Sequence, residues 1–436
     1  VRRKPRWLLP THYLFLFPLH QFLASRRNLM EIRPILSTLS RHKTAAALIV
    51  LEIALSCAII CNALFIVSQR IDAMQLASGI DDNQLIEIGL SGIGKQVDAD
   101  ARTAEDIASL RGIPGVENVA IVNQLPFQGG SWNTSLAASP EPDAQSTNGA
   151  QYMVGESAVK TLGIKLVAGR DFNPDEYQSS DVLEKVEDLG KLRAPAILTE
   201  PMAKKFFPDG NAVGKTLYMA NIPVTVVGVA QTLLRPNMQN NNRTDSIIFP
   251  IRMNFANGGR YILRVTEPGR RDEVLKQALA TLDKNDPNRL VWTKLTVEEK
   301  RAKYFANDRD MIGLLLIVSG LLLLVTALGI IGLASFWVQQ RTKQIGIRRA
   351  LGATRAQVLR YFQTENFLLA SIGIVVGMLL AYLLNQWLMG RYELPRLPLI
   401  YLPVGAALLW LLGQIAVFGP ARRAASIPPA VATRSA

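Results

Sequence analysis

The sequence predicts a membrane protein of four transmembrane α-helices, with a large α+β extracytoplasmic domain inserted between helices 1 and 2. Three observations carry that expectation. Met311–Gln340 is thirty residues without a charge, more than the roughly 20 a helix needs to cross a bilayer core. Three further apolar runs qualify: Thr44–Gln69, interrupted only by Glu52, then Asn366–Gly390 and Leu397–Ala421. Lys and Arg gather between the runs, nine in residues 1–43, six in 339–364 and three in 420–436, against one acid, Glu31; the remainder holds 30 basic and 34 acidic residues. Short cytoplasmic segments carry the positive excess, so both termini and the 339–364 loop are expected in the cytosol. Residues 70–310 then lie outside the cytoplasmic (inner) membrane, in the periplasm.

From the N-terminus, residues 1–43 form a cytosolic segment. Within it Trp7–Ala24 is apolar but broken by Pro10, His12, Pro18 and His20. If it spanned, the arginines after it would fall outside, against the charge bias; Met30 opens a natural start, so 1–29 is taken as an upstream extension. Span one covers 44–69. It holds both cysteines, Cys57 and Cys61, one helical turn apart and expected as small packing residues; no disulfide is available to the external domain. Glu52 costs several kcal/mol in a span unless paired or wetted. Two readings stay open for it, a packing contact and a part in switching, with Gln414 in span four at similar depth.

In the external domain, β-branched stretches at Asn83–Ile88, Val116–Asn123, Ala196–Thr199, Val224–Val229, Ser246–Pro250 and Tyr261–Val265 alternate with helical patterns at Thr103–Leu110, Glu156–Leu162, Glu200–Phe206 and Arg271–Asp283. That interleaving predicts α+β or α/β. Ser139–Gly149 and Gln239–Arg243 read as surface loops. Thr296-Val-Glu-Glu299 is a capping-box pattern with no Pro or Gly before Gly313. A helix unbroken from Val297 to Val338 would measure about 63 Å, a stalk from the domain through span two (311–340).

A basic cytosolic helix is expected over 341–365, the coupling helix, then span three (366–390), span four (397–421) and a cytosolic tail (422–436). Gly373, Gly377 and Ala381 make a small-residue stripe in span three suited to close helix contact, within one subunit or between two.

Composition disfavours other classes. The net charge of +13 and pI near 9.8 belong to the cytosolic flanks, so no nucleic-acid partner is expected. Gly210-Asn-Ala-Val-Gly-Lys-Thr216 imitates a phosphate-binding loop but has three residues where the motif needs four; a turn leading into a strand is the better reading. All three histidines, His12, His20 and His42, precede span one. The acidic stretches Asp171–Glu176 and Asp181–Asp188 lack the spacing and Gly of a calcium loop. No catalytic residue, metal site or cofactor of the chain's own is expected.

Gln344-Ile-Gly-Ile-Arg-Arg-Ala-Leu-Gly-Ala-Thr-Arg355, followed by Phe362-Gln-Thr-Glu365 and a Gly-rich span, resembles the signature of the MacB/FtsX-type permeases of ABC transporters. Ala158–Phe172 and Ile197–Val229, with its Phe-Phe-Pro-Asp-Gly-Asn-Ala-Val-Gly-Lys core, resemble the family's periplasmic core domain. The match covers roughly residues 35–425. Gln344 stands where members commonly carry Glu. The MacB exporter has an ATPase domain ahead of its first span, for which residues 1–43 are too short, so the ATPase is expected as a separate chain that binds the ATP.

The resemblance implies a homodimeric or heterodimeric permease in the lipid bilayer, driven by a cytosolic ABC ATPase dimer. It implies mechanotransmission, ATPase closure moving stalk helices and the external domain. It makes Gln344, Gly346, Arg348, Arg349, Gly352, Ala353 and Arg355 the ATPase contact. Efflux of an antibiotic, peptide or lipid is the first functional expectation, with a periplasmic adaptor and outer-membrane channel as candidate partners. A mechanical signalling subunit that activates cell-wall hydrolases, as FtsX-like proteins do, and a lipoprotein-release permease are the alternatives.

Overall fold

In the computed structural model, residues 43–94, 96, 98–180, 194–238, 242–392 and 396–428 are described. The N-terminal segment before Lys43, the acidic stretch Asp181–Asp188, most of the loop at 239–243 and the end of the tail lie outside them. Two compact units result, Asp72–Asp310 and a unit formed by the residues on either side of it.

In chain order the elements are α1 (Lys43–Gln75), β1 (Leu85–Gly92), α2 (Ala99–Arg111), β2 (Val116–Val122), β3 (Asn133–Ala137), β4 (Ser146–Met153), α3 (Ala158–Leu162), β5 (Leu166–Gly169), β6 (Gln178–Ser179) and β7 (Ala194–Thr199). Then come α4 (Glu200–Phe206), β8 (Thr216–Met219), β9 (Ile222–Ala230), β10 (Ser246–Phe249), β11 (Ile251–Arg252), β12 (Arg260–Val265), α5 (Arg271–Asn285), β13 (Arg289–Thr296), α6 (Val297–Tyr304), α7 (Ala306–Gln340), α8 (Thr342–Ala350), α9 (Arg355–Tyr392) and α10 (Tyr401–Ser426). The helices α1, α7, α9 and α10 are each long and apolar enough to cross a membrane.

The inserted unit contains two large sheets that share a cluster between them, and the small parallel pair β6–β11. The first has the order β13-β1-β12-β2, antiparallel throughout, with α2 and α5 packed on one face through Ile86, Ile88, Leu110, Val274 and Leu282. That is the split βαβ arrangement, and the segment between β2 and β12 is an insertion into it. In the second sheet, order β5-β9-β7-β10-β4-β3-β8, β8 also pairs with β9, so the ladder closes on itself. Leu85, Val122 and Ile262 of the first sheet share a cluster with Tyr152, Ile197 and Ile248 of the second. Only β5, paired with β9 alone, remains as an edge among the described strands of that sheet, and it is four residues long, short as exposed edges usually are.

Most charges buried in this unit are paired, Arg235 being held instead by the amide and carbonyl oxygens of Asn133 and Asn148. Asp106 accepts from Arg289, from the Tyr261 hydroxyl at 2.6 Å and from Asn285 at 2.9 Å, pinning α2, α5 and β13 together. Glu87, wholly buried, takes Lys300 at 2.6 Å and Arg260. Burial pushes the Lys300 ammonium down to about 8. Trp292 sits at a bulge where β13 slips against β1 between Gly89 and Leu90. Its ring lies where a Cβ on Gly89 would come within 2.5 Å of it, with the Arg260 guanidinium 4.3 Å from the ring centroid.

Two expectations are corrected. The helix starting at Val297 does not run unbroken: the Thr296 capping box forms, but Phe305 adopts φ −91, ψ 10 and separates α6 from α7. Its buried ring packs edge-on to Phe127 at 5.9 Å and to Tyr304 at 5.1 Å, which accounts for the departure from helical backbone. The Ser139–Gly149 loop is shorter than expected, because Ser146–Gly149 already pair with β3. The imitation phosphate loop is a turn entering β8, with Gly210 and Gly214 both left-handed.

Candidate functional site

The element with the family-like motif is built from its ends inward. Thirty charge-free residues of α7 stop at Arg341, the first charge after the span. Arg341 is buried and donates to both oxygens of the buried Glu365 on α9, at 3.0 and 2.8 Å. The Trp337 ring lies 5.4 Å from its guanidinium. From this anchor α8 runs from Thr342 to Ala350 and ends in a Schellman turn: Ala353 N–H donates to Arg348 O and Gly352 N–H to Arg349 O, with Gly352 at φ +98. Only glycine takes that backbone without strain. Thr354 and Gln357 then cap α9 reciprocally. The 341–365 element is therefore one short helix, a turn and the first three turns of α9, not a single helix.

Helix phase divides the motif. Ile345 and Gly346 are buried, Ile345 in a cluster with Val358 and Phe362 of α9 and Ala421, Ala424 and Ala425 of α10. Arg349, one turn on from Ile345, donates to the carbonyls of Ala425 and Ile427 at 2.7 and 3.1 Å. These carbonyls close the C-terminal end of α10, where a cation is favoured. Lys343, Gln344, Ile347, Arg348, Leu351 and Arg355 are exposed, Leu351 at 83%, and Arg348 stacks 5.2 Å from the Tyr361 ring centroid.

Sequence reasoning grouped Arg348 with Arg349. The structure separates them, giving Arg349 and Gly346 an inward, intrachain role and Gly352 a helix-ending one. Ala353 is half-buried within the same turn. Arg341 and Glu365 were missed as a pair. The available signal was the first cation after span two and an acid at the mouth of span three.

Within the bundle the polar residues differ in what they meet. Glu52 lies against α7, where a Cβ on Gly329 would meet its Oε2 at 2.5 Å. Its Oε1 has no partner among the described residues. One turn along, Ser56 and Thr326 hydrogen-bond at 2.8 Å. Gln414 donates instead to the Gln363 carbonyl at 3.4 Å, so it does not serve Glu52.

The small-residue stripe packs within the subunit, against α1. A Cβ on Gly373 would meet Ile53 at 2.8 Å and one on Gly377 would meet Cys57 at 2.5 Å, while the Ala381 carbonyl accepts from Asn62 at 3.3 Å. Both cysteines are buried and free, and Cys61 abuts Gly405.

Comparison with known proteins follows the same division. Residues 44–282 match the MacB-like periplasmic core domain family, and residues 316–429 match the FtsX-like permease C-terminal family. The macrolide export ATP-binding/permease protein MacB of Chromobacterium violaceum is 26% identical over 291 residues, 63% of this chain and 42% of that protein. The chain thus spans less than half the length of that relative. An uncharacterized ABC transporter permease, YknZ of Bacillus subtilis, is 23% identical over 338 residues, 76% of this chain and 79% of that one. The extracellular domain of the noncanonic ABC-type transporter YknZ from Gram-positive bacteria aligns with a TM-score of 0.31 and 16% identity, over 48% of this chain and 100% of that domain.

Proposed function

Because the chain belongs to the family of ABC transporter permeases that join a MacB-like periplasmic core domain to an FtsX-like permease domain, we propose that it is the membrane subunit of a mechanotransmitting exporter. A cytosolic ATPase pair grips α8, and its closure moves the extracytoplasmic unit to extrude an antibiotic, peptide or lipid from the outer side of the cytoplasmic membrane. Two copies, or one copy with a related chain, form the working permease.

One observation carries the reading: the outer face of α8 and its turn. Ile347 and Leu351, at i and i+4, are 46% and 83% exposed, flanked by Lys343, Arg348 and Arg355. A solvent-facing apolar pair rimmed by cations suits a protein partner with an apolar pocket and acidic edge. The inner face, held by Arg341 and Arg349, makes the helix a fixed part of the bundle.

Ile347→Asp with Leu351→Asp is expected to cut co-purification of the ATPase by about 30-fold, the loss typical of two central apolar anchors, while the permease inserts normally. Arg348→Glu weakens the complex further and Arg348→Lys retains most of it. Full recovery of the ATPase with the double Asp variant would sink the reading.

Orientation has its own test. Cysteines placed at Asp143 and at Ala356, in a Cys57→Ala, Cys61→Ala background, should react oppositely with a membrane-impermeant maleimide that has crossed only the outer membrane. Position 143 should label and 356 should not; the reverse pattern would invert the topology.

A further inference from the structure

Arg301, on α6, gathers three separate stretches of the extracytoplasmic unit. Its guanidinium donates to Asp82 at 2.7 Å, to the Met74 carbonyl at 2.7 Å and to the Leu76 carbonyl at 2.9 Å. It lies 5.2 Å from the centroid of the Phe127 ring. Met74 and Leu76 belong to the end of α1 and the residue just past it, so Arg301 satisfies carbonyls that a helix terminus leaves without partners. Asp82 precedes β1 and is oriented by the Ser78 hydroxyl, which donates at 2.6 Å. Thr296, one step before α6, pairs with Ile86 at the start of β1.

The chain thus enters and leaves the unit at neighbouring points, and one side chain fastens both passages to each other. Phe127, which it also covers, is buried at φ +67, a left-handed backbone that is strained for an aromatic residue and that only surrounding contacts sustain. Those contacts are Tyr304 and Phe305, at 6.0 and 5.9 Å, together with Met74, Leu76 and Met238.

We propose that Arg301 is a positioning residue for force transfer. By joining the entering segment 72–82 to the leaving helix α6, it makes them move as one, so that displacement of either reaches β1 and β13 instead of fraying the ends. This rests on the mechanotransmission reading. A planar fork with several donors is needed, since a lysine ammonium cannot hold Asp82 and two carbonyls with the same geometry.

The test is hydrogen exchange on the full-length permease copurified with its ATPase from its own host, with and without ATP plus vanadate. Wild type should show an ATP-dependent change in exchange across β1, β2, β12 and β13. Arg301→Gln should raise basal exchange in residues 72–84 and 297–305 about tenfold, the loss of roughly one charge-assisted hydrogen bond, and abolish the ATP-dependent change in the sheet. Arg301→Lys should keep half of that change or less, with basal exchange in the closed sheet as in wild type.

A full ATP response in either variant overturns the proposal. Should Arg301→Gln loosen the whole unit, the lysine variant decides by the same criterion. An absent ATP response in wild type would fault the mechanotransmission reading itself, a separate failure.

Discussion

Glu365→Ala is expected to cost about 3–5 kcal/mol, because it leaves the Arg341 guanidinium buried without its counter-charge. The pair has side-chain exposures of 11% and 1%, so water cannot take the place of the carboxylate. Scanning fluorimetry should show a large drop in the unfolding midpoint. Trp337, beneath the guanidinium, should report the local change. Glu365→Gln, which keeps the shape but not the charge, should fall between. Replacing both partners, Arg341→Met with Glu365→Leu, should recover most of the stability, since removing a buried pair whole is often neutral. On the proposed mechanism the double variant should still transmit poorly, because the anchor at the start of α8 is gone. A midpoint for Glu365→Ala equal to wild type would mean that Arg341 finds another partner and that the joint is not held by charge.

Glu87→Ala is expected to be at least as damaging in the extracytoplasmic unit, by about 3–5 kcal/mol, because two cations, Lys300 and Arg260, lose one fully buried carboxylate. The damage should depend on pH. In the folded protein Lys300 is held down to about 8, below its ordinary 10.5. Between those values the unfolded chain binds a proton that the folded chain has released. Stability from this group therefore rises with pH across that window and is flat below it. Urea unfolding of the full chain at pH 7 and pH 9.5 should show the rise, and Lys300→Met should flatten it. With Glu87 gone, Lys300 loses the attraction that favours its charged form, so the rise should begin at lower pH. An identical pH slope in wild type and Lys300→Met would remove Lys300 as its source.

How much was legible differs from element to element. The four spans were, because an unbroken apolar run has no other stable environment. Strands β2, β7, β9, β10 and β12 and helices α2, α4 and α5 announced themselves by β-branched runs or helical period. β3 and β4 did not: Asn133–Ala137 and Ser146–Met153 are polar and Gly-containing, and their partners across the closed sheet supply the order that their own composition lacks. The motif of α8 was visible but its two faces were not. Arg348 and Arg349 are identical side chains one residue apart, and only the phase set by Ile345 sends one to solvent and the other to the end of α10. The pairing of Arg341 with Glu365 spans 24 positions, far beyond any local pattern. Arg301 was invisible for a related reason, since two of its acceptors are backbone carbonyls.

The insertion between β2 and β12 also sets a timetable for the nascent chain. β1 is made first, yet both strands that flank it, β12 and β13, begin only at Arg260 and Arg289. At a synthesis rate of about 5–20 residues per second, β1 waits on the order of ten seconds or more for its first neighbour. During that wait Leu85, Ile86, Ile88 and Leu90, all buried once folded, are a naked apolar ribbon, while the closed sheet downstream can complete itself from its own strands. The exposed interval falls on β1, which until β12 is made has α2 rather than a strand to pack against.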